Sequence, residues 1–178
     1  MDVLAHTLWT NAGARGANAL YKKYGKPRRL HVGWTAFWGV FPDFFAFTLT
    51  FIGVFYRAIF QGVSLSNARE GMLSPTGFDL AAYLYQYSHS LVIWVVVFFI
   101  VWIVCKRPRL ELLGWALHIL IDIPSHAIGF YATPFLFPIS DYRFPYGVSW
   151  ANTYFMIINY ASLAIVWTGI AIKKIRKR

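Results

Sequence analysis

The residues best suited to chemistry lie in an apolar stretch from Gly114 to Phe130, which reads GWALHILIDIPSHAIGF. His118, Asp122 and His126 recur there at every fourth position, so on a helix they would project within about 80° of one another. An ionisable side chain inside a bilayer is costly unless it is paired, hydrated or bound to a metal ion. A polar face on such an apolar helix therefore predicts a functional site.

Three further ionisable residues, His6, Asp43 and His89, fall in other apolar segments. Counted along helices, Asp43 and His89 reach the depth of His118 and Asp122, roughly 12 to 18 Å below the outer membrane surface. His6 lies just below that surface if its segment is inserted. Imidazole and carboxylate are ligands that suit zinc and related divalent ions. This layer predicts one metal site with an open position, or two ions that share a carboxylate.

The composition places all of these residues in a membrane protein. The chain has 178 residues, of which 58% are hydrophobic, 20% aromatic and only 13% charged. The net charge of +10 comes from short basic clusters between apolar runs, a pattern that indicates membrane topology and not nucleic-acid binding. We therefore expect a single integral membrane domain over residues 1–178, with no nucleic-acid partner.

Hydropathy predicts an all-α, multi-pass bundle of four to five transmembrane helices. Pro124 is expected to kink the span over about residues 110–130. The polar segment 61–79 and the aromatic segment 131–149 are predicted to be loops. The predicted spans, in chain order, cover about 2–21, 34–60, 81–104, 110–130 and 150–172.

The basic residues set the expected orientation of the spans. Loops 22–31 and 106–109 and the C-terminus carry most of the 17 lysines and arginines, which predicts that they are cytoplasmic. Segment 2–21 either lies on the cytoplasmic surface or crosses the membrane with its N-terminus outside. We favour the inserted helix, because only then can His6 approach the other ionisable residues. Small residues spaced four apart, Ala12 with Gly16 and Gly13 with Ala17, would let this helix pack closely, while Arg15 would snorkel inward or face Asp43.

Four short motifs occur in order along the chain: AHTL near the start, FPDF, YSHSL, and GWALHILIDIPSH followed by PFLFP. In this order they resemble the YdjM-like family of prokaryotic membrane-bound, metal-dependent hydrolases, which is itself distantly similar to zinc-dependent phospholipase C. The resemblance covers residues 5 to about 138, and it implies a location in the plasma (inner) membrane of a prokaryote. It implies a divalent cofactor, most simply zinc, and it implies metal-ligand roles for five residues: His6, Asp43, His89, His118 and Asp122.

These observations favour a hydrolase that cleaves a lipid-linked phosphoester or ester, with a membrane lipid or lipid-linked molecule as substrate. Asp43 or His126 would accept a proton from the attacking water. Arg143, in the outer loop beside Asp141, is a candidate contact for the substrate headgroup. Two other functional classes stay open: an ion or proton transporter that uses the same His/Asp layer, and a non-catalytic scaffold with a structural metal.

Each site residue also has a simpler interpretation. His118 and Asp122 could satisfy each other by a hydrogen bond within the helix. Asp43 could serve as the counter-ion of Arg15, and His89 could be a packing residue that is hydrogen-bonded by its neighbouring serines. Metal binding differs from these interpretations in one respect, because it alone requires the side chains from different segments to converge at one place.

Overall fold

The computed structural model describes residues 1–27, 29–64, 67, 75–129 and 131–176. Over these residues the predicted all-α fold is confirmed, with turns and loops between the helices and no β-strand. Outside the described residues lie positions 65–66 and 68–74 of the predicted polar loop, and also Arg28, Phe130, Lys177 and Arg178. The described part forms six α-helices: α1 Val3–Lys23, α2 Val32–Phe60, α3 Pro75–Ser88, α4 Leu91–Cys105, α5 Leu113–Ser125 and α6 Thr153–Ile175.

Two of these helices, α2 and α6, are long and apolar enough to cross a membrane, and α3 with α4 makes a third span if the bent pair counts as one. Many large apolar side chains on these helices are exposed, as on a surface that faces lipid. Examples are Ile59, Ile103 and Ile165, each at least 70% exposed. The larger number of four to five spans stays a prediction.

The segment predicted as a span over residues 81–104 is not a continuous helix, because the chain bends by 60° between α3 and α4. Ser90 causes the break by capping α4, its hydroxyl accepting from the backbone N–H of Ile93 at 3.1 Å. The same hydroxyl donates to the carbonyl of Phe137 in the following loop. His89 therefore sits at a corner of the backbone and not within a continuous helix.

The span predicted over 110–130 is also shorter than expected. A 3₁₀ turn over Leu110–Leu112 leads into α5, which has 13 residues and ends one residue after Pro124. The backbone N–H groups of Val148 and Trp150 donate to the carbonyls of Pro124 and Ser125, both at 2.9 Å. The helix ends there because the outer loop satisfies its last carbonyl groups, so Pro124 marks an end and not a kink within a longer span.

Helices α1 and α5 both pack closely against α2, through glycines that the small-residue pattern did not identify. A Cβ atom on Gly39 would lie 2.3 Å from Thr10 Oγ1, and one on Gly114 would lie 2.0 Å from the carbonyl oxygen of Thr35. A Cβ atom on Gly16, by contrast, would have no atom within 4 Å. Close approach at Gly39 and Gly114 brings α1, α2 and α5 together around the ionisable residues.

The two ends of the bundle differ in charge. Arg29, Arg107 and Arg109 line one pocket, so the two predicted cytoplasmic loops meet at one end of the molecule. At the other end, Trp150 from the outer loop packs against the buried cluster that contains Met1. This arrangement fits the predicted orientation with the N-terminus and the aromatic loop on one side.

Candidate metal centre

Residues from five parts of the chain meet between α1, α2 and α5. Helix α5 supplies two of them, α1 and α2 supply one each, another lies at the corner between α3 and α4, and the last follows α5. His6, His89, His118 and Asp122 are completely buried, the Asp43 side chain is 14% exposed and His126 is 7% exposed. The structure thus brings together every predicted ligand: His6, Asp43, His89, His118 and Asp122, with His126 beside them.

Four of these residues can hold a metal ion: Asp43, His89, His118 and Asp122 each offer one ligand atom, and all four atoms lie within 4.8 Å of one another. His118 Nε2 is 3.0 Å from His89 Nε2 and 3.1 Å from Asp122 Oδ2. Asp43 Oδ1 lies 3.5 Å from His89 Nε2 and 3.7 Å from His118 Nε2. Ligand atoms on a tetrahedral zinc ion stand ~3.3 Å apart. These separations are therefore close to those of one shared ion, and the predicted metal-capable cluster is confirmed.

The outer nitrogens of the two histidines orient both rings. His118 Nδ1 donates to the carbonyl of Gly39 at 2.7 Å, and His89 Nδ1 lies 2.9 Å from the hydroxyl of Ser88. A carbonyl accepts only from N–H, so His118 carries a proton on Nδ1, and in the neutral ring Nε2 then carries the lone pair. Such partners at the far nitrogen are typical of histidine metal ligands. Both rings direct Nε2 toward the carboxylates of Asp43 and Asp122, an arrangement that suits a shared cation.

Asp122 divides the cluster into two sides. Its Oδ2 faces His89 and His118 and has no hydrogen-bond partner among the described residues, although it is buried. Its Oδ1 faces His6 Nε2 at 2.9 Å and His126 Nδ1 at 3.4 Å, and it accepts from the backbone nitrogen of Met1. A buried carboxylate oxygen without a hydrogen-bond donor is costly, and a cation coordinated by the four-atom group would remove that cost.

His6 and His126 lie at the edge of this group. The ring of His6 stacks on that of His118 with centroids 3.7 Å apart, and neither His6 nitrogen has a hydrogen bond of good geometry. His126 follows the end of α5 in an extended conformation, so its predicted position on the same helical face as His118 and Asp122 is wrong. It still reaches the cluster, because Nδ1 lies 3.2 Å from the carbonyl oxygen of Asp122.

Two arginines considered from the sequence have other partners. Arg15 donates to Asn11 at 2.8 Å and its guanidinium lies 5.6 Å from the centre of the Trp167 ring, so the interpretation of Asp43 as its counter-ion is wrong. Arg143 donates to the carbonyl of Asp141 at 3.0 Å, within the outer loop. Its predicted contact with a substrate headgroup stays a prediction.

Tyr85 is a site residue that sequence reasoning missed. Its ring stacks on His89 with centroids 3.6 Å apart, and its hydroxyl donates to the carbonyl of Tyr131 at 3.0 Å. The spacing could have placed Tyr85 near the site, because a residue four positions before His89 lies on the same helical face.

No protein-family model matches the chain, and no curated protein or solved structure compared with it does either. The class of protein is therefore defined by the fold and the site themselves. The chain is an all-helical protein with helices apolar enough to span a membrane, and a buried His/Asp cluster within it could hold a metal ion.

Proposed function

We propose that this protein is a membrane-embedded, metal-dependent hydrolase whose substrate is a lipid-linked phosphoester or ester. One observation carries the proposal: the four-atom group combines three fully buried residues with one, Asp43, whose side chain is 14% exposed. A structural metal is typically closed off by four protein ligands, whereas a catalytic metal keeps a position open. The exposure of Asp43 supports an approach for water and substrate on its side.

Zinc is the ion in this proposal, because imidazole and carboxylate are both ordinary zinc ligands. When bound, such an ion lowers the pKa of a water molecule toward neutrality and polarises a phosphoryl or carbonyl oxygen. His89, His118 and Asp122 would hold the ion. Asp43 would either bind the ion as a fourth ligand or accept a proton from the attacking water, and its carboxylate is positioned for both roles.

His126 is the second candidate for moving a proton. It is almost buried, touches Asp122 and follows α5 directly at the start of the outer loop. A histidine at that position could pass a proton from the cluster to the leaving group. The lipid nature of the substrate is supported by the large exposed apolar surface and by the resemblance of the motifs to membrane-bound hydrolases.

Asp43→Asn tests the reaction directly, with Asp141→Asn as a matched control in the exposed outer loop. Purified, zinc-loaded protein would be placed in vesicles of phosphatidylglycerol and phosphatidylethanolamine, with a lipid diphosphate as a further substrate, and released phosphate, headgroup and fatty acid would be measured. We expect wild-type hydrolysis of at least one substrate, a ~100-fold or larger loss in Asp43→Asn, and no change in Asp141→Asn.

The assay also separates the other classes. One contrary result is cation flux into the vesicles that disappears in Asp122→Ala, with no hydrolysis of any substrate. That result would show that the protein is a transporter and not a hydrolase. Tightly bound zinc with neither hydrolysis nor flux would identify a structural metal and also overturn the proposal.

A further inference from the structure

A groove opens between α1, α5 and α6, next to the metal centre. Its volume is 670 Å³, in the range of small-molecule binding sites. Most of its lining is apolar, including Trp9, Leu117, Leu120, Phe155 and Val166. The metal centre uses none of these side chains.

One polar side chain in the groove lacks a partner. Asn159 on α6 lines the groove and is 8% exposed. Its Oδ1 accepts from the indole N–H of Trp9 at 2.8 Å, while its Nδ2 is buried and has no hydrogen-bond partner among the described residues. A buried amide donor without an acceptor is costly, so this side chain points to a ligand with an oxygen acceptor.

The length and position of the groove indicate what kind of ligand it holds. Phe155 and Val166 lie eleven residues apart along α6 and both line the groove, which gives it a length of ~16 Å. This is close to the hydrocarbon thickness of one leaflet, half of ~30 Å. Met1 also lines the groove, and its backbone nitrogen contacts Asp122. The groove therefore meets the metal centre at the end where Met1 lies.

We propose that the groove holds one acyl chain of a membrane lipid, with its ester oxygen accepting from Asn159 Nδ2 and its tail lying toward Val166. The polar end of the lipid then lies toward Asp122. The assignment of this groove as the acyl site of the substrate rests on the proposed hydrolase function. The binding of the chain itself needs neither metal nor turnover, and it is tested without them.

The test uses metal-free protein in vesicles of phosphatidylethanolamine and phosphatidylglycerol, with a trace of phosphatidylglycerol that carries one photoactivatable acyl chain. After illumination, mass spectrometry maps the cross-linked residues. Leu120→Trp would fill the groove from a position that is 52% exposed, and Ile157→Trp is the matched control, exposed on α6 and outside the groove lining. We expect wild-type labelling concentrated on the groove lining, a fivefold or larger loss there in Leu120→Trp, and no loss in Ile157→Trp.

A second comparison isolates Asn159. Ester-linked and ether-linked versions of the same probe differ in the carbonyl oxygen, so Asn159→Ala should lower ester labelling about three- to tenfold and leave ether labelling unchanged. Ser162→Ala, which removes a partly exposed hydroxyl on α6 that donates to the carbonyl of Ile158, should change neither. Uniform labelling of all exposed apolar faces, or equal effects on both probes, would overturn the acyl site. Groove labelling in a protein that proves unable to hydrolyse any lipid would overturn only the hydrolase.

Discussion

At the scale of single residues, the fixed orientation of His118 sets the chemistry of the centre. Its Nδ1 is committed to the carbonyl of Gly39, so Nε2 is available for a ligand bond. The sequence predicted the pairing of His118 with Asp122, because two residues four apart share a helical face. It could not predict the Gly39 carbonyl, since backbone acceptors become available to a side chain only when two helices approach closely.

The role of His6 can be separated from that of His118 by substitution. His6 faces Asp122 Oδ1, on the side away from the four-atom group, so we expect it to position Asp122. His6→Ala should then keep metal binding but weaken it about 10- to 100-fold, as measured by competition with a chelating dye. Thr7→Ala, beside it in α1, is the control. Complete loss of metal in His6→Ala, equal to that in His118→Ala, would make His6 a direct ligand.

At the scale of helices, the sequence predicted where apolar segments occur better than where they break. The limits of α2 and α6 follow the apolar runs closely, because their ends coincide with polar or basic residues. The break at His89 and the end of α5 depend on bonds to the outer loop, made by Phe137, Val148 and Trp150. Such contacts between distant segments leave no periodic signal in the sequence.

The close packing of α1 and α5 on α2 predicts a clear difference among glycines. Gly39→Ala and Gly114→Ala would each bring a Cβ atom against a neighbouring helix, and we expect a thermal midpoint about 3–10 °C lower in detergent. Gly53→Ala, where a Cβ atom would meet nothing within 4 Å, should be neutral or slightly stabilising. Equal midpoints for all three variants would contradict the packing described here.

At the scale of the whole molecule, composition alone predicted a membrane protein, and depth counting predicted that distant residues would meet. That counting worked because helices have a fixed rise per residue, so residues at equal depth on neighbouring helices can lie close together. It could not establish which helices are neighbours or how many cross the membrane. Those features depend on packing between helices and on the bilayer.

Single-cysteine labelling tests the predicted orientation, with Cys105→Ser as the background. Tyr146→Cys lies in the outer loop and is 81% exposed, Leu4→Cys is near the start of α1, and Lys26→Cys is in the first basic loop. We expect a membrane-impermeant maleimide to label Tyr146→Cys and Leu4→Cys in intact cells, and Lys26→Cys only after permeabilisation. If Leu4→Cys is labelled only together with Lys26→Cys, α1 is not inserted with its N-terminus outside.

The central claim is that buried imidazoles and carboxylates from separate helices converge to bind a divalent ion. The most direct measurement is the metal content of purified protein, prepared without chelators, for wild type, His118→Ala, Asp122→Ala and the control His31→Asn, whose site at the start of α2 lies outside the cluster. We predict about one divalent ion per chain in wild type and His31→Asn, and almost none in His118→Ala and Asp122→Ala. Wild-type protein that binds no divalent ion, or cluster variants that retain it fully, would contradict the account.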